Sequence, residues 1–384
     1  MKGIASKIAQ DPEQLPTDSS ESIDGEGKLG NNAYRYYIEL SEDREQCPWF
    51  FVLGYLSFLI FLVIRFIDLS YGVTYGWSEI VNGTENFGST HFLGEGHFGK
   101  VYRCDFPTSV GAAKIHDHGN QLGDAAEFLA EMRTLQEANH PNVIKLIGKS
   151  FGQKKSALVY EFMPNGSLNY HLSAFVSPGL GLQQKTRVLD WKTRMRIAVG
   201  VAEALVYLHT GIKTIHRDIK VANVLLDEDF TPKLADFGSA AKFVEIEDGV
   251  DPPRRMNPVK GTLGYKAPET EKFGLVSTKS DIYSYGVFLF VLFTGRQAYD
   301  LKRPAATVRI TDWLRPVWSK EEFIPRVTDP ALGNNYSVEG LNSLFQTARM
   351  CTDAHASSRP QMVFVKEMVR QAAAFPVPEL LPAR

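Results

Sequence analysis

The chain has 384 residues, 44% hydrophobic and 22% charged, the composition of an ordinary globular protein long enough for a two-lobed enzyme with extensions. Forty-two Lys and Arg against 44 Asp and Glu leave a formal net charge of −2, which speaks against a nucleic-acid-binding surface. Three scattered cysteines, Cys47, Cys104 and Cys351, form no CxxC pair, which speaks against a disulfide framework or a zinc site and for an intracellular setting.

Residues 1–47 are polar and are expected to be disordered. The opening MKGIASKIAQ is too polar for a secretory signal, and Gly3 is misplaced for myristoylation. An apolar run follows at 48–67, with sixteen uncharged residues from Trp49 to Ile64. As a helix these rise about 24 Å, short of a hydrocarbon core of about 30 Å, but Pro48 to Ile67 with a snorkelling Arg65 is long enough. The run is read as a transmembrane helix, with a buried core helix as the alternative. Arg35 and Arg44 before it and Arg65 after it weakly oppose a cytosolic C-terminal side. Residues 68–86 are expected to be a juxtamembrane connection.

From Phe87 glycine-punctuated apolar runs appear at 92–116 and 143–163, and longer helical patterns at 191–210, 278–295 and 341–372. Strands first and helices later predict an α+β architecture, with a small sheet-rich lobe at 87–163 and a larger helical lobe at 164–373. The Pro-rich tail 374–384 is expected to be loose.

Gly94, Gly96 and Gly99 in LGEGHFGKV are followed by a strand-like KVYRCDF. A glycine turn between two strands suits backbone amides closing over phosphates. Lys114 sits in GAAKIH and Glu131 in the helical pattern EFLAEMRTL. His216, Arg217, Asp218, Lys220 and Asn223 crowd into IHRDIKVANVLL, and Asp236 follows in ADFGS. Asn223 and Asp236 suit a hard divalent cation such as Mg²⁺, and Asp218 could accept a proton from an incoming hydroxyl.

In this order these elements, closed by Ala267-Pro268-Glu269, resemble a eukaryotic protein kinase from about Phe87 to about Met368. LVYEFMPNGSL, LDWKTRMRIAVGVAEALVYLH and SDIYSYGVFLFVLFTGR resemble the receptor-like kinases of plants, relatives of the Pelle and interleukin-receptor-associated kinases. The resemblance implies a bilobal kinase fold and Ser/Thr phosphorylation of protein substrates with ATP and Mg²⁺. It implies that Gly94, Gly96 and Gly99 cover the phosphates, that Lys114 contacts them and is held by Glu131, and that Asp236 and Asn223 hold Mg²⁺. Asp218 becomes the catalytic base, and Lys220 the counter-charge to the transferred group. Val101, Ala112 and Leu225 would sandwich adenine, with Tyr160 as gatekeeper and Glu161 to Met163 as hinge. Glu269 is expected to pair with Arg359, and Asp281 to hold the catalytic loop from below. The need for cytosolic nucleotide overrules the weak charge count around 48–67. Membrane attachment, at the plasma membrane, is therefore expected with the kinase in the cytosol; a cytoplasmic protein is the alternative. A receptor or co-receptor would supply the ectodomain.

Two departures matter. Gly111-Ala112-Ala113-Lys114 stands where a Val-Ala-Ile-Lys strand is usual, which predicts a weaker strand and leaves a pseudokinase scaffold as rival. His97 occupies the glycine turn. Moreover, Ala240 to Lys260 contains no Ser, Thr or Tyr, although Arg217, expected to read a loop phosphate, is present. Ser239 lies too early and Thr262 and Tyr265 too late, Thr262 matching the residue that contacts Asp218. Glu245, Glu247, Asp248 and Asp251 are candidate acidic stand-ins for that phosphate.

Overall fold

The computed structural model describes residues 72–96, 99–117, 122–152, 155–172, 188–244, 251–318 and 323–378. Residues 1–47, the apolar run at 48–67, His97 and the loop acids Glu245, Glu247 and Asp248 lie outside the described residues. Among the described residues, no helix is long and apolar enough to cross a membrane.

The small lobe is a six-stranded sheet with one long helix, as the alternating runs predict. In chain order it comprises β1 (Val73–Thr74), α1 (Trp77–Gly83), β2 (Phe92–Gly96), β3 (Gly99–Phe106), β4 (Ser109–Asp117), α2 (Leu122–Glu137), β5 (Leu146–Phe151) and β6 (Lys155–Glu161). The strand order is β1-β5-β6-β4-β3-β2, with only β1–β5 parallel. Because strand side chains alternate between faces, Tyr102, Cys104, Ala113, Ile115, Ala157 and Val159 share one face, a core that Ile80 of α1 completes. The opposite face carries Val101, Lys114 and Leu158 in one cross-strand row, and Ala112 beside Tyr160 in the next. One sheet thus separates structural residues from those expected to meet a ligand.

Of the stretch expected to be a juxtamembrane connection, residues 72–86 are described, and they belong to the small lobe. Val73 and Thr74 pair with Gly148 and Lys149, Tyr75 stacks on Phe106 at 4.3 Å, and α1 docks on the core face. A Cβ at Gly83 would lie 2.6 Å from Cys104 Sγ, so only glycine lets α1 approach this closely. The glycine in the lysine strand is also accounted for. A Cβ at Gly111 would meet Val159 Cγ1 at 3.0 Å and Phe106 Cε2 at 3.2 Å. β4 pairs with β3 over residues 109–115 and with β6 over residues 111–117, so the Gly-Ala-Ala-Lys run is held in both ladders.

The large lobe is helical. Its main elements are α3 (Trp191–Val206), α4 (Pro268–Phe273), α5 (Thr278–Thr294), α6 (Val338–Cys351) and α7 (Met362–Ala374). Asp190 caps α3 by accepting from Thr193 N at 2.8 Å, and the helix runs into a π-turn over Tyr207–Gly211. Every residue of α5 from Ser280 to Thr294 is buried, which is why its sequence is apolar all round. The pattern read as one helix over 341–372 is two helices. The chain breaks at Thr352 because Arg359 turns inward to buried partners and Pro360 cannot continue a helix. Three two-stranded ladders fix the loops of the large lobe: β7 (Thr214–Ile215) with β10 (Ala241–Lys242), β8 (Val224–Leu226) with β9 (Pro232–Leu234), and β11 (Arg254–Arg255) with β12 (Leu275–Val276).

Candidate active site

Lys114 projects from β4 on the face away from the sheet core. Its Nζ donates to Glu131 Oε2 on α2 and to Asp236 Oδ1, both at 2.8 Å. Burial pulls the pKa of this amine down; the Glu131 and Asp236 carboxylates outweigh it and hold the Lys114 pKa above the ordinary lysine value. Burial likewise pushes the Asp236 carboxyl up, and Lys114 outweighs it and holds the group below the usual carboxylate range. Asp236 adopts a left-handed backbone (φ 67°), which turns its carboxylate towards Lys114 while Phe237 buries completely against the His216 ring, 4.7 Å away. The second Glu131 oxygen accepts from Phe237 N at 3.3 Å, so one carboxylate ties both the lysine and the Asp236 turn to α2.

The loop 216–223 is held from below by Asp281 of α5. Its Oδ2 accepts from His216 N and its Oδ1 from Arg217 N, both at 2.8 Å, and the His209 ring approaches Oδ2 at 3.0 Å. The buried Asp281 carboxyl is pushed up by burial and pulled below its ordinary value by His209. These bonds hold Arg217 at φ 73° and present Asp218 to the cleft. Lys220 Nζ donates to Asp218 Oδ2 at 2.7 Å and to Thr262 Oγ1 at 2.9 Å, while Thr262 Oγ1 donates to Asp218 Oδ1 at 2.7 Å. Asn223 Nδ2 donates to the Asp218 carbonyl at 2.8 Å, which leaves its Oδ1 as the donor atom for a cation.

The glycine turn is the expected hairpin, with Gly96 opposite Gly99. A Cβ at Gly99 would lie 2.2 Å from Ile115 O, so that glycine serves the fold. A Cβ at Gly94 would meet nothing within 4 Å and one at Gly96 nothing nearer than 4.0 Å, so packing does not require glycine there, and the space fits a closely approaching phosphate. Val101 and Ala112 lie on adjacent strands above the cleft, and Leu225 lies on β8 of the large lobe. Tyr160 is buried at the back; burial and the neighbouring Glu131 carboxylate raise its pKa well above normal. The Glu161 side chain is committed to Lys145 N at 2.8 Å and Lys233 Nζ at 3.0 Å, which leaves backbone groups to serve as hinge. Met163 is buried beside it. Among the described residues no group of three or more His, Cys, Asp or Glu could cage a metal. Mg²⁺ that keeps phosphate and water ligands needs only one or two protein oxygens, and Asp236 with Asn223 fits that donor set. Ala235 N donates to Asn223 O at 2.9 Å and keeps the two segments adjacent.

Residues 87–361 match the protein kinase domain. The chain belongs to the protein kinase family. It is 39% identical over 291 residues to the probable serine/threonine-protein kinase PBL7 of Arabidopsis thaliana, covering 75% of this chain and 74% of that protein. It is 37% identical over 292 residues to the receptor-like serine/threonine-protein kinase ALE2 and 38% identical over 287 residues to the receptor-like kinase LIP2, both also of Arabidopsis thaliana. These matches cover 75% and 73% of this chain; the chain spans 37% of ALE2 and 50% of LIP2.

The expected partner of Glu269 in this kinase is present. Arg359 grips it with two bonds, Nη1–Oε1 at 2.7 Å and Nη2–Oε2 at 2.8 Å. The acidic stand-in fares differently. Asp251 does not meet Arg217; its Oδ2 accepts from Thr278 N at 2.6 Å, at the start of α5. Arg217 instead donates Nη1 to the Ser239 carbonyl at 3.1 Å. Sequence reasoning missed Lys260 and Glu127, an ion pair of 2.7 Å beside the Asp236 turn, and the fully buried Arg194–Asp329 pair, also 2.7 Å. A lysine before Gly261-Thr262 and a glutamate four residues before Glu131 gave no signal, because nothing in their spacing announces a contact across the cleft. The His209–Asp281 contact was equally silent.

Proposed function

We propose that this kinase transfers the γ-phosphoryl group of MgATP to Ser or Thr hydroxyls of protein substrates. The observation that carries the reading is the triangle of Asp218, Lys220 and Thr262, with every edge between 2.7 and 2.9 Å. It aims an ionisable oxygen and a cation at one point, as transfer to a hydroxyl requires. Lys114, kept charged by Glu131 and Asp236, draws the α- and β-phosphates, and amides of the glycine hairpin cover them. Asp236 and Asn223 would hold Mg²⁺, which when bound neutralises phosphate charge. Asp218 accepts the hydroxyl proton of the substrate, and Lys220 balances charge on the transferred group. Val101, Ala112 and Leu225 enclose the adenine, with Tyr160 behind it and Glu161 to Met163 along its edge. The relatives ALE2 and PBL7, both named as serine/threonine-protein kinases, support Ser/Thr over Tyr.

The test is phosphoryl transfer by the full chain, freed of phosphate beforehand, to a generic basic protein. Wild type yields phosphoserine and phosphothreonine, and Asp218→Asn is slower by roughly 10²–10⁴-fold. Wild type that binds nucleotide and transfers nothing would replace this reading with a scaffold.

The apolar run at 48–67 serves as a membrane anchor, at the plasma membrane, with the kinase facing cytosolic ATP and a receptor or co-receptor as partner. Sixteen uncharged residues and relatives named receptor-like kinases support this. Release of the full chain from membranes by alkaline carbonate would overturn a spanning segment.

A further inference from the structure

Between Asp236 and Thr262 the chain offers no hydroxyl from Ala240 to Lys260, yet the turn that carries Asp236 is firmly held. Three contacts hold it. Glu131 accepts from Phe237 N, Arg217 donates to the Ser239 carbonyl, and Lys260 Nζ donates to the Gly238 carbonyl at 3.2 Å. Lys260 also pairs with Glu127 Oε1 at 2.7 Å. Glu127 lies one helical turn before Glu131 on α2, so both carboxylates share a face of that helix. The pair is mostly buried, at 21% and 14% side-chain exposure, so it is shielded from salt more than a surface pair. Two adjacent carbonyls at the end of the Phe237–Ser239 turn, groups a helical turn leaves without internal partners, each take a cation.

We infer that Lys260 is a positioning residue that clasps α2 to the Asp236 turn through Glu127, keeping Lys114, Glu131 and Asp236 aligned without phosphorylation of 240–260. The clasp supplies a fixed positive charge from the loop to a negative charge on the helix, and Arg217 secures the neighbouring carbonyl. The inference rests on the phosphoryl-transfer reading above and adds how the loop is kept in the competent arrangement.

The test uses the full chain, treated with phosphatase, in four forms: Lys260→Met, Glu127→Gln, Lys260→Arg, and the double variant Lys260→Met with Glu127→Gln. Two readouts are taken, steady-state kinetics and amide hydrogen exchange over 127–137 and 236–239. Lys260→Met and Glu127→Gln are each expected to lower kcat by about 10- to 100-fold, with KM for ATP changed by less than about threefold. Exchange in both segments quickens while the melting temperature holds. Lys260→Arg recovers most of kcat and of the exchange protection, and the double variant is no worse than Lys260→Met. Single variants within about twofold of wild type in kcat, or a double variant whose loss is the product of the two single losses, overturn the clasp. If wild type transfers no phosphate, the phosphoryl-transfer reading fails separately, and hydrogen exchange still decides: unchanged protection in Lys260→Met overturns the clasp.

Discussion

Lys114 and Asp236 are each moved away from their ordinary pKa, and in opposite directions. A lysine with a raised folded value stabilises fully below its unfolded pKa of about 10.4 and loses that contribution as pH climbs through the folded one. A carboxylate with a depressed folded value stabilises above about 3.9 and loses it as pH falls through the folded one. Both charges therefore stand between about pH 4 and about pH 10. In Lys114→Met the burial of Asp236 remains and its counter-charge is gone, so its pKa rises. The variant should lose about 3 kcal/mol near neutral pH, and less near pH 4 as Asp236 takes a proton. Urea midpoints across that range measure it, and a loss that does not change with pH contradicts the account. Glu269→Gln should cost about 3 kcal/mol, because the buried Arg359 keeps its charge and loses a two-bond partner; thermal unfolding reads this directly. That pair was legible because each partner sits in a recognisable motif. Arg194–Asp329 was not: Arg194 reads as one more polar position of an amphipathic helix, and only the tertiary structure brings Leu189 O, Leu292 O and Asp329 around it.

At the level of elements, the ligand-facing roles expected of Val101, Ala112 and Lys114 came from the resemblance, and the strand period of two, which survives even a Gly-Ala-Ala run, puts the three on one face of the sheet. What the run lacks in propensity it recovers from ladders on both sides and from close packing. Gly111→Val, which restores the residue expected from the resemblance, should therefore destabilise by about 1–3 kcal/mol, its methyls colliding with Val159 and Phe106. A raised denaturation midpoint would show that propensity outweighs packing here. The break between α6 and α7 was missed although its signals are in the sequence: Thr352 to Gln361 is polar apart from Ala354 and Ala356 and carries Pro360, while the inward turn of Arg359 is a long-range event that only the tertiary structure shows. Asp251 belongs at this scale too. It caps α5 from a distant loop, so Asp251→Ala should cost about 1 kcal/mol of stability and leave kcat near wild type. A large fall in kcat with unchanged melting would restore the idea that Asp251 stands in for a phosphate.

For the whole molecule, the two-lobed plan followed from strands preceding helices, and the site from six motifs in order. The N-terminal limit did not follow, because β1 is two residues long and α1 reads like part of a linker until Ile80, Tyr75 and Gly83 are seen against the sheet. A fragment beginning at Phe87 should be less stable and cut faster by protease than one beginning at Gly72, as comparison of the two fragments will measure.

The short parallel strand β1 has a further consequence. It closes the β5 edge of the sheet at Gly148 and Lys149, where backbone donors and acceptors would otherwise face solvent. Removing it offers a template on which a second chain can add a strand. A fragment trimmed to the family boundary should therefore self-associate, and the poor solubility that results would report an unguarded edge and say nothing about the chemistry of the cleft.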